Sequence, residues 1–270
     1  MIRVTVCGAM GRVGSMLIRY ITSHKEEFEL VGAVERHDHP ELASDIGILL
    51  GGKPIGILLE NDVRNCVIAT QCIVDFTSPD SATWHAEVAA DFKIPFVSGT
   101  TGLSRDHLDR IEKAAEKIPI VTTPNFSIGI NLLLRLASLA TKVLTDEFDC
   151  EIVETHHRHK EDAPSGTALR LAEVVASTWE KSADELTIHG RHGVHLGERP
   201  ISQIGMHAVR GGEVIGEHEL RFLGPAEEIR LTHRAFSRDT FVRGAVRALI
   251  FVQGRQPGLY DMLDVLGLHI

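Results

Sequence analysis

The chain has 270 residues, of which 43% are hydrophobic and 24% charged, the make-up of an ordinary globular protein, long enough for two domains. A formal net charge of −9 excludes nucleic acid as the expected partner, because phosphates draw basic surfaces. It leaves room for an anionic ligand, since a local cationic pocket can oppose the overall sign.

Residues 1 to 8 read straight into a strand, so no secretory leader is expected. Ile2 to Cys7 is that strand, short and apolar. Gly8-Ala9-Met10-Gly11-Arg12-Val13-Gly14 follows, then a helical pattern through Met16, Leu17, Tyr20 and Ile21. Strand, glycine turn and helix form the setting of a dinucleotide fingerprint, in which glycine lets the backbone approach a pyrophosphate and the helix N-terminus faces its charge. The spacing is G-x-x-G-x-x-G, with Met10 where a second glycine is usual, and a plain tight turn is the rival reading. A second strand, Glu29 to Val34, ends in Glu35-Arg36. Glu35 follows Gly14 by 21 residues and can accept hydrogen bonds from an adenosine ribose. Arg36 can pair with a 2′-phosphate, so NADH and NADPH both fit.

The alternation continues. Cys72 to Phe76 is a strand, Pro79 to Asp91 a helix, Ile94 to Ser98 a strand, Arg105 to Lys117 a helix, and Ile120 to Thr122 a strand. This pattern implies an α/β fold with a doubly wound parallel sheet and ligands beyond the carboxyl ends of its strands. Gly99, Thr100, Thr101 and Asn125 lie at such ends and are expected to close over the nicotinamide half, with ordinary loop chemistry as the alternative. Ser127 to Leu144 is a long apolar-rich helix, expected to cross between domains. Its Asn131, Arg135 and Lys142 argue against a membrane span. Cys7, Cys66, Cys72 and Cys150 form no C-x-x-C pair, and buried free thiols in a reducing cytoplasm are expected.

The chemistry concentrates in E-I-V-E-T-H-H-R-H-K-E-D-A-P-S-G-T-A, Glu151 to Ala168. An apolar strand leads in and a helix start leads out. In an alternating strand His156 and His157 face opposite sides, so at most one shares a site with Glu154. Ser165, Gly166 and Thr167 are expected to leave backbone amides bare at a helix N-terminus, a seat for a carboxylate or phosphate, and Lys160 adds a positive charge. A solvated charged loop is one rival reading. A metal site is another, although His156, His157 and His159 lack the i, i+4 spacing of a zinc helix.

Beyond this stretch, Thr167 to Trp179 is an amphipathic helix. Ile201 to Val209, Val214 to Phe222 and Glu228 to Ala235 then follow as strands without helices between them, a mixed or antiparallel sheet of a second, α+β domain. Arg238 to Val252 returns to helix, and periodicity leaves open whether it packs on the first domain. The Gly190 to Gly197 loop, with Arg191, His192 and His195, reads as a mobile segment that either touches ligand or is merely solvated.

Taken together these residues resemble the 4-hydroxy-tetrahydrodipicolinate reductase (dihydrodipicolinate reductase) family. The likeness runs end to end. It is carried by the central stretch, the G-T-T-G, P-N-F-S and R-G-G elements, and the closing H-R-A-F-S-R-D-T-F with Gly244-Ala245. It implies a Rossmann domain from 1–127 and 237–270, and a substrate-binding and tetramerisation domain from 128–236. The implied reaction is the NAD(P)H-dependent reduction of 4-hydroxy-tetrahydrodipicolinate to tetrahydrodipicolinate, with loss of water, in the diaminopimelate route to lysine. By the same resemblance His156 and Lys160 are the acid–base pair. His157, Ser165, Gly166 and Thr167 hold a cyclic dicarboxylate. Gly8, Ala9, Met10, Gly11, Arg12, Val13, Glu35, Arg36, Gly99, Thr100, Thr101, Thr123, Pro124, Asn125 and Phe126 hold NADPH or NADH, and no metal is involved. A cytoplasmic homotetramer is implied, and closure of a cleft on ligand binding is expected. The alternatives are another Rossmann oxidoreductase acting on an amino-acid-derived acid, or a nucleotide-sensing homologue without turnover. No cysteine in an active-site setting favours a thioester-forming dehydrogenase.

Overall fold

In chain order the computed structural model contains β1 (Ile2–Cys7), α1 (Arg12–Ser23), β2 (Phe28–Val34), α2 (Ile46–Leu49), β3 (Leu59–Glu60), β4 (Cys72–Asp75), α3 (Pro79–Asp91), β5 (Phe96–Ser98), α4 (Arg105–Ala115), β6 (Pro119–Thr122) and α5 (Ile128–Val143). It continues with β7 (Asp149–His156), α6 (Gly166–Thr178), α7 (Ala183–Leu186), β8 (Thr187–His189), β9 (Ile204–Arg210), β10 (Gly216–Leu223), β11 (Glu228–Ala235), α8 (Asp239–Phe251), β12 (Gly258–Tyr260) and α9 (Met262–Leu266). Residues 1–144, 147–194 and 197–269 are described; His195, part of the Gly190–Gly197 reading, lies outside them. The chain divides into two compact units, Met1–Ile128 with Asp239–Ile270, and Gly129–Arg238.

The first unit is built on a seven-stranded sheet in the order β12-β6-β5-β4-β1-β2-β3, with every neighbouring pair parallel. Strands this apolar are buried on both faces, as a parallel sheet covered by helices requires: Val4, Val6, Ile73, Val74, Val97 and Val121 are all fully buried. α1 turns Leu17, Ile18 and Ile21 inward. α3 packs with the small side chains Ala82, Ala86 and Ala89. The C-terminal helix does return to this unit: Val242, Ala245, Leu249 and Val252 share a core with Val4, Val6 and Leu17. The order reverses at β1, whose neighbours are β2 and β4, and loops at such a switch point form a ligand crevice.

The second unit carries a five-stranded sheet, β11-β10-β7-β9-β8. β7 alternates buried and half-buried residues. Its inward Ile152 joins Leu220, Phe222, Ile204 and Met206 against Leu171, Val175 and Ala176 of α6 and Leu133 of α5. The second sheet departs from the expected strand order. The strands near 201–209 and 214–222 are not neighbours joined by a turn. β9 runs parallel to β7 and β10 antiparallel to it, one on each side. The Arg210-Gly211-Gly212 segment therefore crosses the end of β7, where the Gly211 amide donates to the His156 carbonyl and the Arg158 amide to that of Gly212. β3, β8, β12, α2, α7 and α9 were not expected, each being too short to show a period.

All four cysteines are free and buried, as expected. Among the described residues no helix is long and apolar enough to cross a membrane.

Candidate active site

In the first unit the glycine loop sits at the end of β1. Gly8 has φ +78°, and a Cβ there would lie 2.4 Å from the Phe76 carbonyl oxygen. A Cβ on Gly14 would lie 2.1 Å from the Gly8 carbonyl oxygen, so this glycine lets α1 press onto the turn. α1 begins at Arg12 with no side chain capping its first amides, which leaves them open to an anion. The Glu35 carboxylate reaches back to this loop and accepts from the Met10 amide at 2.9 Å and the Arg36 amide at 3.2 Å. Arg36 is exposed and pairs with Asp38 at 3.3 Å.

Beside the loop, buried Asp75 organises the ends of β4 and β5. Its carboxylate accepts from the Thr100 hydroxyl at 2.8 Å, the Thr77 hydroxyl at 2.9 Å and the Thr77 amide at 3.2 Å, and pairs with His85 Nδ1 at 2.6 Å. Thr100 thus turns its side chain inward, and Phe126 is buried against Phe76. Gly99 is needed for this packing, because a Cβ would meet the Phe76 ring at 2.2 Å and the Phe126 ring at 2.9 Å. Ala9, Thr100, Thr123 and Phe126 are buried, whereas Gly11, Arg12, Arg36, Thr101 and Pro124 are exposed and Met10, Val13, Glu35 and Asn125 half-buried. For the buried ones it is the backbone that can face a ligand. A glycine cradle, uncapped first-turn amides and a carboxylate at the β2 end suit a dinucleotide's pyrophosphate and ribose.

In the second unit the chemistry centres on Glu154, which is fully buried. Arg210 binds it in bidentate fashion, at 2.8 Å and 2.7 Å. The Ser165 amide donates to it at 3.0 Å, and His156 Nδ1 lies 2.6 Å away. Burial pushes the Glu154 pKa up, but the hydrogen bonds from Arg210, His156 and the Ser165 amide outweigh it and hold the group below the ordinary glutamate range. The carboxylate therefore accepts from an Nδ1–H, which leaves the lone pair of the ring on His156 Nε2. His156 itself is 8% exposed. Burial depresses its pKa, and the charges of Lys160 and Arg210 add to that, against the raising effect of Glu154. The resting imidazole is neutral at pH 7, with an open lone pair at Nε2.

Around this centre, Lys160 Nζ donates to both Asp162 oxygens, at 2.7 Å and 2.9 Å. His157 lies past the end of β7 with a buried Nδ1 that has no partner among the described residues. α6 starts at Gly166 with Ser165 as its cap. The expectation of bare amides over Ser165 to Thr167 is corrected at its first member, since the Ser165 amide is taken by Glu154. Gly166 is exposed and Thr167 half-buried. Of the Gly190–Gly197 segment, Arg191 donates to Glu151 at 2.9 Å, on the face of β7 opposite Glu154.

Two residues of the cluster were not singled out from the sequence. Arg210 lies 56 positions from Glu154, and only its R-G-G setting marked it. His218 is buried in β10, with Nε2 2.9 Å from the Ser165 hydroxyl and its ring in edge contact with His156 at 5.1 Å. Its sole signal was a histidine at an inward position of an alternating strand.

The model "Dihydrodipicolinate reductase, N-terminus" matches residues 2–126, and "Dihydrodipicolinate reductase, C-terminus" matches 129–266. A 4-hydroxy-tetrahydrodipicolinate reductase of Anaeromyxobacter dehalogenans (strain 2CP-C) is 42% identical over 269 residues, covering 100% of this chain and 99% of the relative. One from Syntrophus aciditrophicus (strain SB) is 43% identical over 267 residues, covering 99% of each. Among solved structures, a dipicolinate-bound dihydrodipicolinate reductase from Paenisporosarcina sp. TG-14 superposes with a TM-score of 0.78 at 25% identity, covering 98% of both chains. The glycine cradle, the Glu154 cluster and these full-length likenesses converge: the chain belongs to the 4-hydroxy-tetrahydrodipicolinate reductase family, the pyridine-nucleotide-dependent oxidoreductases of the diaminopimelate route to lysine.

Proposed function

We propose that this chain reduces 4-hydroxy-tetrahydrodipicolinate to tetrahydrodipicolinate, with loss of water, and that the Glu154-centred cluster supplies the proton. The observation that carries the reading is the pairing of Glu154 with His156 Nδ1 at 2.6 Å beside Lys160 and the first turn of α6. A cyclic dicarboxylate, like the dipicolinate of the Paenisporosarcina structure, brings two negative charges. One carboxylate docks on the first turn of α6 at Gly166 and Thr167, with Ser165 and His157 beside it. The other draws the Lys160 ammonium from Asp162. The same charges oppose the burial and the cations that hold His156 neutral, so the ring takes up a proton at Nε2 when substrate arrives.

A reduced nicotinamide dinucleotide supplies the hydride when bound. Gly8, Ala9, Met10, Gly11, Arg12 and Val13 seat its pyrophosphate. Glu35 accepts from the adenosine ribose, and Arg36, released from Asp38, pairs with a 2′-phosphate, so NADH and NADPH both serve. Gly99, Thr100, Thr101, Thr123, Pro124, Asn125 and Phe126 border the nicotinamide end. The electron density that hydride addition pushes along the ring is met by the proton at His156 Nε2, with Lys160 stabilising the developing negative charge and replenishing the proton. The glutamate keeps the imidazole in one tautomer and one orientation throughout. With the family goes assembly as a homotetramer in the cytoplasm.

The test follows oxidation of NADH and NADPH with freshly generated substrate. Wild type turns over. Lys160→Ala loses kcat by about a hundred-fold or more with the fold intact. Equal activity in that variant removes Lys160 from the mechanism, and an inactive wild type removes the reading.

A further inference from the structure

We infer that His218 is a positioning residue: by donating from Nε2 to the Ser165 hydroxyl oxygen, it leaves that hydroxyl's proton free for a substrate carboxylate. The inference rests on the reading of the α6 N-terminus as the carboxylate seat.

A serine hydroxyl has one proton to give and two lone pairs to receive with. The Ala168 amide takes one lone pair of Ser165 Oγ at 3.2 Å. The second partner is His218 Nε2 at 2.9 Å, and the direction of this bond decides what Ser165 has left. If the imidazole proton sits on Nδ1, the hydroxyl must spend its proton on Nε2 and nothing remains for a ligand. If the proton sits on Nε2, the imidazole fills the second lone pair and the hydroxyl proton has no acceptor among the described residues.

Burial decides between the two. His218 is 4% exposed, and its Nδ1 has no partner among the described residues. A proton on Nδ1 would be a buried donor with nothing to receive it, the arrangement that native structures avoid most consistently. An unmet lone pair in the same place is the milder fault. A doubly protonated ring is opposed as well: burial, then the neighbouring His156, drives the His218 pKa to about 3. The ring is neutral, with its one proton on Nε2.

Ser165 is itself 3% exposed and caps α6, so its freed proton can be offered only at the helix start, beside exposed Gly166. A carboxylate seated there receives first-turn amides together with one aimed hydroxyl. His218 touches no substrate in this scheme; it acts through Ser165.

The tautomer is read directly by two-dimensional 15N–1H spectroscopy of the full-length chain labelled with 15N-histidine, His218 being assigned by its loss in His218→Gln. An Nε2–H pattern without ligand is expected, and an Nδ1–H pattern overturns the inference whatever the enzyme does. Dipicolinate titrations then test the consequence. His218→Leu should weaken dipicolinate about ten-fold and leave NADH binding unchanged. His218→Gln, which can donate from near the same point, should recover most of the loss. In a Ser165→Ala background His218→Leu should add nothing, because the effect travels through that hydroxyl. A further ten-fold loss in that background, or wild-type affinity in His218→Leu, overturns the role of His218. If the leucine variant does not fold, the spectrum decides the tautomer, and unchanged affinity in Ser165→Ala overturns the role. A wild-type chain indifferent to dipicolinate overturns the seat itself, and the inference with it, a result distinct from a wild type that binds while the variants bind equally.

Discussion

Glu154 Oε2 and His156 Nδ1 stand 2.6 Å apart on one face of β7, two positions along the strand, and this spacing fixes which imidazole nitrogen carries the proton and which keeps its lone pair. Because the glutamate is also held by Arg210 and by the Ser165 amide, removing its charge strands a guanidinium and frees the ring at once. Glu154→Gln should destabilise the fold by about 3 kcal/mol and lower kcat about a hundred-fold. Urea denaturation and nicotinamide oxidation read the two effects; a variant as active as wild type would show that the ring needs no such orientation.

Acid stability should carry the signature of His218. Its folded pKa is about 3, against roughly 6.5 in an unfolded chain. Between those values the unfolded chain binds the extra proton, so this stabilisation is complete above about pH 6.5 and is lost as pH falls toward 3. Going from pH 7 to pH 5, wild type should lose about 2 kcal/mol more than His218→Gln. His156 and His233, also depressed by burial, titrate in both proteins and cancel in the comparison. Parallel denaturation curves at the two pH values would contradict the assignment.

Cofactor choice should respond to Arg36. Its guanidinium is exposed and, among the described residues, pairs with Asp38 alone, at 3.3 Å, an arrangement that can open toward a 2′-phosphate. Arg36→Ala should raise the KM for NADPH about ten-fold and leave that for NADH unchanged. An unaltered ratio would show that the phosphate is held elsewhere.

The third glycine of the loop should tolerate no side chain. A Cβ on Gly14 would meet the Gly8 carbonyl oxygen at 2.1 Å, a backbone atom with little room to yield. Gly14→Ala should cost about 1–3 kcal/mol of stability and weaken both nucleotides, measured by thermal melts and by nicotinamide fluorescence. Wild-type affinity for both would mean that the close approach of α1 to the turn is dispensable.

Much of this was legible in the residues because it is local. The glycine turn, Glu35 at the end of its strand and the helix start after Pro164 each declare themselves within a few positions, and strand–helix alternation gives the parallel sheet. Long-range pairing does not declare itself. Nothing near Glu154 says that Arg210 will close on it, since that contact depends on β9 lying beside β7 rather than beside β10. The Arg210-Gly211-Gly212 segment has the composition of a hairpin turn, yet it crosses the end of β7, where the Gly211 amide donates to the His156 carbonyl. Burial does not declare itself either: the enclosure that lowers the His156 pKa, helped by Lys160 and Arg210 against the raising pull of Glu154, comes from elements far along the chain.

The first unit takes its last core pieces from the far end of the chain, with α8 filling against Val4 and Val6 and β12 pairing with β6. On the ribosome, the opening 128 residues therefore emerge with part of their sheet uncovered, and they wait for more than a hundred further residues before the covering helix is made. A chain ended before residue 239 would be left with a nucleotide module unable to close its own interior.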